Sequence, residues 1–252
     1  MKNTQQYLIY GKHSALSVLN NSKRQIDKVL CTRNTAEAVK NLCHYTVVDH
    51  ITLERTLKDN GYHNALHQDI IVFTHRLKQP DLYTLLDKKL LILLDELQDS
   101  QNIGAIIRSA ALFNAAAVIS TQHNSPDENS HIIKAACGAF EHIPFLKIIN
   151  LNQTIETLKK SNYWIVGMSC QANEPIQNLK DKLSNNDKIA LIVGNEENGM
   201  RQMVEKRCDF LAKVLINQNR GVDSLNAASA AAIFLYEMNN ILLNTNDSMY
   251  LK

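Results

Sequence analysis

Eight glycines and four prolines in 252 residues are too few for a collagen-like or low-complexity chain. Cysteine is scarce as well. Cys31, Cys43, Cys137, Cys170 and Cys208 are odd in number, widely spaced and never arranged as C-x-x-C. That excludes a disulfide framework and a cysteine-based metal site, and no other cluster has metal-ligand spacing. The thiols read as reduced and mostly buried, as in a cytoplasmic protein. No uncharged apolar run approaches the roughly 18 residues of a membrane span. The opening MKNTQQYLIYGKHSALSVL has neither the apolar core nor the cleavage site of a signal peptide. Net charge is slight too, with 27 basic against 25 acidic side chains. What is present is a chain 45% hydrophobic, which buries enough apolar surface to offset its ordering entropy. Its length suits one large domain or two modest ones.

The charge is unevenly placed. Residues 1–80 carry 11 basic and 6 acidic side chains and six of the nine histidines, while residues 81–252 carry 16 basic and 19 acidic. A basic front module beside a slightly acidic larger one fits a nucleic-acid-presenting domain joined to a catalytic one. Ordinary scatter of surface charge explains the same numbers equally well. The break is expected near residues 76–89, where IIVFT gives way to HRLKQPD and Pro80 disfavours helix at Gln79. This gives a front module of 1–76, a linker of 77–89 with a short helix over 81–88, and a second module of 90–252.

The front module alternates helix and strand patterns: helix 12–20, strand IDKVLCT, helix TAEAVKNLC, strand YTVVD, helix TLERTLKD and strand DIIVFT. That is a small α/β sandwich. The second module opens on LLILLDE, a continuous apolar run typical of a strand buried on both faces. Helices are expected over 102–115, 129–137, 152–161, 200–207 and 224–243. Strands are expected at AAVIS, PFLKII, WIVGMS, KIALIVG and FLAKVLI. The alternation predicts a Rossmann-like, largely parallel sheet with helices on both faces. Ligands of such sheets bind beyond the carboxyl ends of the strands.

Three segments place glycine and polar residues immediately after buried strands. In DELQDSQNIGAIIRSAALF, Asn102, Gly104 and Arg108 lie at the start of a helix, where free N–H groups and the dipole favour anions. A plain helix start with a solvated arginine reads the same way. In LIVGNEENGM, Gly194 lets backbone approach a ligand, Glu196 and Asn198 stand at the lip, and Gly199 closes the turn. Glycine turns after strands are commonly structural. The spacing is not that of a dinucleotide fingerprint, and no phosphate-binding P-loop exists, which argues against both classes. In INQNRGVDSLNAASAAAIFLYEM, Ser224 and Asn226 flank Leu225 at the mouth of a helix rich in small residues. They suit either a ligand or a helix cap.

Each segment is weak alone, but together N-x-G-x-x-x-R, G-x-E-x-x-G-M and S-L-N resemble the three motifs of the SpoU/TrmH branch of SPOUT RNA 2′-O-methyltransferases. IYGKHSAL, ALHQDIIV, KAACGAFEHIPFLKI and YWIVGM extend the resemblance over nearly the whole chain. They point to the bacterial subgroup that methylates a guanosine in 23S rRNA. The resemblance implies a trefoil-knotted catalytic domain, an L30e-like RNA-binding front domain, S-adenosylmethionine as cofactor and a homodimer. It places Gly194, Asn195, Gly199, Val214, Ile216 and Leu225 at the cofactor, and Asn102, Arg108, Glu196, Ser224 and Asn226 around the reacting ribose. Needing no metal, the chemistry asks the protein to orient the nucleophile and help its proton leave.

The chain departs from the family pattern twice. Asp99-Ser100-Gln101 stands where the family has Asp-Pro before the motif asparagine, and the I-P-M segment before S-L-N has no clean match. Counting from Gly194 puts its first residue at Val214, counting from Leu225 puts it at Ile216, and an apparent two-residue insertion falls within INQNRG. The arginine at the position of Arg108 is often assigned as a base in the family. A guanidinium stays protonated at neutral pH, so phosphate binding and alkoxide stabilisation suit it better. Two alternatives stand beside this reading: a tRNA 2′-O-methyltransferase, and a non-catalytic RNA-binding or ribosome-assembly protein with a degenerate cofactor loop.

Overall fold

The apolar run Leu90–Leu94 forms strand β5, and all five of its side chains are buried. In the computed structural model, which describes residues 6–217 and 224–243, β5 belongs to a unit made of Gln79–Asp127 and Ile143–Lys252. Its other strands are β6 (Ala117–Thr121), β7 (Phe145–Ile148), β8 (Tyr163–Met168), β9 (Glu174–Pro175), β10 (Lys188–Val193) and β11 (Phe210–Lys213). The sheet order is β7-β6-β5-β10-β8-β11-β9, and every pairing is parallel. Such a sheet needs cover on both faces, which is why β5 and β6 carry no polar alternation.

Helix α6 (Leu151–Lys160) places Leu151, Ile155 and Leu158 on one stripe, packed with Leu91, Leu93, Ile165 and Ile192. Helix α4 (Ser100–Leu112) buries Ile103, Ile106 and Ile107, and packs against α8 (Ala227–Leu242), which buries Phe234, Leu235 and Met238. Asn114 Nδ2 donates to Asn239 Oδ1 at 3.1 Å beside that contact. The expected helix 81–88 is only a 3₁₀ turn, Leu82–Leu85, capped by Asp81. Strand β9 is two residues long, too short to leave a periodic trace in sequence.

The other unit joins Met1–Lys78 to Glu128–His142. Its sheet runs β1-β4-β2-β3, where β1 is Tyr7–Tyr10, β2 Ile26–Cys31, β3 Thr46–Val47 and β4 Ile70–Thr74. Strand β4 is antiparallel to β1 and β2, and β2 is parallel to β3. Helices α1 (Lys12–Asn20), α2 (Arg33–Val39) and α3 (His50–Asp59) connect them, and Leu8, Tyr10, Leu30, Leu53, Leu57 and Ile71 form a core.

The contact pattern thus divides the chain differently from the expected 1–76 and 90–252. The segment 128–142 leaves the parallel sheet between β6 and β7 and completes the first unit, contributing α5 (Ser130–Ala135). Arg24 is the reason. Its guanidinium, wholly buried, contacts Glu128 and takes Glu141 at 2.7 and 2.9 Å. It also donates to the His75 carbonyl at 2.9 Å. Burial alone would lower the Arg24 pKa, but the Glu141 hydrogen bond and the Glu128 charge reverse that and raise it. Ser130 Oγ donates to the Leu8 carbonyl, adding a neutral tie. Hydrophobic periodicity carries no sign of such a pairing across more than a hundred residues.

Candidate active site

Beyond the carboxyl ends of β8, β10 and β11 lies a cleft of about 460 Å³, where a parallel sheet offers its ligand site. The volume falls within the roughly 300–1,000 Å³ of small-molecule sites. One wall is the loop after β10. Gly194 sits so close to the return of its own loop that a Cβ would lie 2.3 Å from the Gly199 carbonyl carbon and 2.4 Å from the Met200 nitrogen. Only glycine fits. Asn195 and Gly199 exchange both backbone hydrogen bonds at 2.9 Å, and Gly199 turns the chain at φ +67. Asn195 Oδ1 accepts from the N–H groups of Glu197 and Asn198, while its Nδ2 donates to the Glu96 carbonyl at 3.1 Å. The loop is therefore built from backbone, held by one asparagine side chain.

The opposite wall is the start of α8. Asn226 caps this helix, its Oδ1 accepting from Ala228 N at 2.9 Å and Ser229 N at 3.3 Å. Its Nδ2 donates to Asn102 Oδ1 at 2.9 Å, and Asn102 Nδ2 donates to Glu196 Oε1 at 2.7 Å. The three motifs thus meet in one head-to-tail hydrogen-bond chain running from the α8 amides to the Glu196 carboxylate. Such a chain polarises each member in the same sense. Asn226 is both cap and connector: of the two uses left open by the sequence, the structure shows the cap and adds the tie to Asn102.

The structure brings together every expected site residue except Arg108. Gly194, Asn195, Glu196, Gly199, Val214, Ile216, Ser224, Leu225 and Asn226 line the cleft, and the buried Asn102 joins them by hydrogen bonds. Arg108 stands exposed on α4 outside the lining, four residues after the buried Gly104. Most of the insertion in INQNRG and the following Val222-Asp223 lie outside the described residues.

Three features escaped sequence reasoning. Met168, the last residue of β8, and Ser169, Cys170 and Gln171 after it form a further wall. Their only sequence signal is their place at the end of a buried strand. Glu205 and Lys213 also face the cleft, so its lining carries Glu196, Glu197 and Glu205 against one lysine. The third is Asp95, fully buried and paired with Arg201. In the first unit, His50, His67 and Asp69 bring possible ligand atoms within 4.8 Å of one another. His67 Nδ1, however, accepts the Asp69 N–H at 2.9 Å, which puts the ring proton on Nε2 and leaves no lone pair for a metal.

The geometry agrees with what known proteins resemble it. Residues 89–236 match the SpoU rRNA Methylase family. The chain is 34% identical over 241 residues to the 23S rRNA (guanosine-2′-O-)-methyltransferase RlmB of Coxiella burnetii, covering 91% of this chain and 94% of that one. It is 30% identical to the enzyme of the same name from Escherichia coli K12, covering 91% and 96%. The AdoMet-bound rRNA methyltransferase of Sinorhizobium meliloti superposes with a TM-score of 0.78 at 19% identity, over 96% of this chain and 89% of that one. The A. aeolicus TrmH/SpoU tRNA modifying enzyme matches 63% of this chain and 79% of its own, with a TM-score of 0.50 at 21% identity. The chain belongs to the SpoU family of S-adenosylmethionine-dependent RNA 2′-O-methyltransferases.

Proposed function

We propose that this protein methylates the ribose 2′-hydroxyl of a guanosine in 23S rRNA, acting as a homodimer in the cytoplasm. The observation that carries the reading is the Glu196–Asn102–Asn226 hydrogen-bond chain at the mouth of the cleft. Among the described residues no helix is long and apolar enough to cross a membrane. The choice of rRNA over tRNA is supported by the relatives that match over nine-tenths of the chain. The tRNA enzyme leaves more than a third of it without a counterpart. The first unit, with its basic charge, is read as the RNA-holding part and the parallel-sheet unit as the catalytic one.

The cleft suits S-adenosylmethionine. Gly194, Asn195, Gly199, Val214, Ile216 and Leu225 would hold the adenosine against a wall with no room for a side chain at position 194. Glu196, Glu197 and Glu205 complement a cationic sulfonium, and Lys213 offers a countercharge for a carboxylate. When bound, the cofactor supplies an electrophilic methyl carbon. The protein then orients the ribose: Asn102, Glu196, Ser224 and Asn226 fix the sugar and so recognise the group that marks RNA. With the methyl carbon's bond to sulfur exchanged for one to the 2′-oxygen, the hydroxyl proton would leave to solvent. Arg108 holds the adjacent phosphate and stabilises the developing alkoxide.

Because Arg108 lies outside the cleft lining of its own chain, the dimer reading gives it a role in a site completed by the second copy. Leu112 on α4 and Tyr236 on α8 are 67% and 52% exposed, apolar surface that suits such an interface. Mapping 2′-O-methyl groups in rRNA and tRNA from cells with and without the protein tests the substrate. Loss of one 23S guanosine methyl group is expected. Loss at a tRNA position instead, or at none, refutes it.

A further inference from the structure

Asp95 immediately follows β5 as a fully buried carboxylate that no step of the methyl transfer uses. Its Oδ2 accepts the backbone N–H of Arg201 at 2.8 Å. Its Oδ1 accepts Nε at 2.8 Å and lies 2.6 Å from Nη2. The remaining guanidinium nitrogen, Nη1, is 3.0 Å from Glu96 Oε1. A buried carboxylate is costly unless its charge and lone pairs are answered, and here one residue answers both.

The next residue carries a second anchor. Glu96 adopts φ +56, a left-handed conformation uncommon outside glycine. In that conformation its carbonyl accepts Asn195 Nδ2. The loop after β10 is therefore pinned at both ends to one dipeptide, at Asn195 by Glu96 and at Arg201 by Asp95. Between the pins stands Glu196, which receives Asn102 from α4. Because α4 begins only four residues after Glu96, the register of Glu196 against Asn102 depends on where Asp95 holds Arg201.

We propose that Asp95 and Arg201 form a latch that holds the Gly194–Met200 loop in its cofactor-binding shape, making Asp95 a positioning residue for S-adenosylmethionine. The proposal rests on reading the cleft as the cofactor site. It also has a consequence that needs no cofactor: the loop amides should be protected from hydrogen exchange by the latch.

The test compares the full-length wild type with Asp95→Asn, Arg201→Lys and, as a control, Arg207→Gln, whose ion pair with Glu156 lies outside the cleft. Amide exchange over residues 195–200 is measured without cofactor, and S-adenosylmethionine affinity by calorimetry. Asp95→Asn should speed local exchange and weaken the cofactor by about 10- to 100-fold, the scale of a lost hydrogen bond to a charged group. Its turnover at saturating cofactor should stay closer to wild type than its affinity does. Arg201→Lys keeps the backbone bond and one charge, and should fall between. Arg207→Gln should match wild type in both. Wild-type exchange and affinity in Asp95→Asn, or exchange quickened equally across the whole sheet, overturns the latch. Should Asp95→Asn not fold, unchanged values in Arg201→Lys overturn it instead. If the wild type takes up no S-adenosylmethionine, the cleft reading fails, and exchange alone decides the latch.

Discussion

Each unit sets an arginine against buried carboxylate, and the two arrangements do different work. Arg24 has a wholly buried side chain and holds Glu128 and Glu141, which arrive from a segment more than a hundred residues away. Arg201 is 45% exposed, and its partners Asp95 and Glu96 hold the loop after β10 that lines the cleft. The first joins distant chain segments into one unit, where a charge left alone would be severely destabilising. The second steadies a loop that must admit a ligand, and its exposure leaves that loop freer to adjust. An arginine's burial and the origin of its partners thus separate a structural clamp from a site-positioning one.

The largest effect should come from cutting the first clamp altogether. A fragment of residues 1–78 retains every strand of the first sheet but lacks Glu128 and Glu141, stranding Arg24. It should be unfolded by circular dichroism and amide dispersion. A cooperative melt of this fragment would break the comparison, because the borrowed segment would then be ornament.

Next, the clamp arginine, Arg24, is set against Arg108, the arginine proposed for the reacting ribose. Arg108→Ala should lower methyl transfer by about 10²–10⁴-fold, the scale of losing a positioned electrostatic group. Stability and cofactor affinity should hardly move. Arg24→Ala should do the reverse, costing about 3–5 kcal/mol of stability by leaving carboxylates buried without their partner. Single-turnover transfer of labelled methyl and denaturant titration read the two effects separately. Near wild-type turnover in Arg108→Ala would put the catalytic charge elsewhere.

Much of the candidate site was legible because its residues follow buried strands. Gly194 and Glu196 follow KIALIV, Asn102 follows LLILL at the first turn of a helix, and Ser224 to Asn226 precede an alanine-rich one. Strand ends are where a parallel sheet binds, so local pattern and topology agree there. The clamp at Arg24 was illegible for the opposite reason. Nothing in the local pattern around NSKRQID or FEHIP shows that they meet, and burial of a charge runs against the hydrophobic signal that sequence reasoning follows. Asp95 hid in the same way, as one polar residue after five apolar ones. The sheet order, with β10 between β5 and β8, also depends on long-range pairing that local periodicity does not encode.

A smaller effect separates the two roles of Asn226. Asn226→Ala removes the cap on α8 and should cost about 1 kcal/mol. It also breaks the chain to Asn102 and Glu196, so turnover should fall by more than that stability loss explains. Asn226→Ser, which can still cap, should recover the stability without the turnover. Recovery of both would mean that capping was its whole role.

The smallest effect, and the most local, compares thiols. Cys137 lies exposed in the segment that completes the first unit, Cys170 is exposed on the cleft wall, and Cys208 is partly buried. Burial pushes the Cys208 thiol up to about 12, helped by the charges of Asp209 and Glu205. The folded state therefore holds that proton more tightly than an unfolded chain, whose thiol titrates near 9. The associated stability is complete below pH 9 and is lost as pH rises through 12. At pH 8 almost none of Cys208 is thiolate, the reactive form. Iodoacetamide should then modify Cys137 and Cys170 but leave Cys208 intact, as peptide mass mapping would show. S-adenosylmethionine should slow labelling of Cys170 several-fold, on the order of the site's occupancy, and leave Cys137 unchanged. Equal protection of both thiols would mean that the cofactor tightens the whole molecule, and the cleft would lose its claim as the place where it acts.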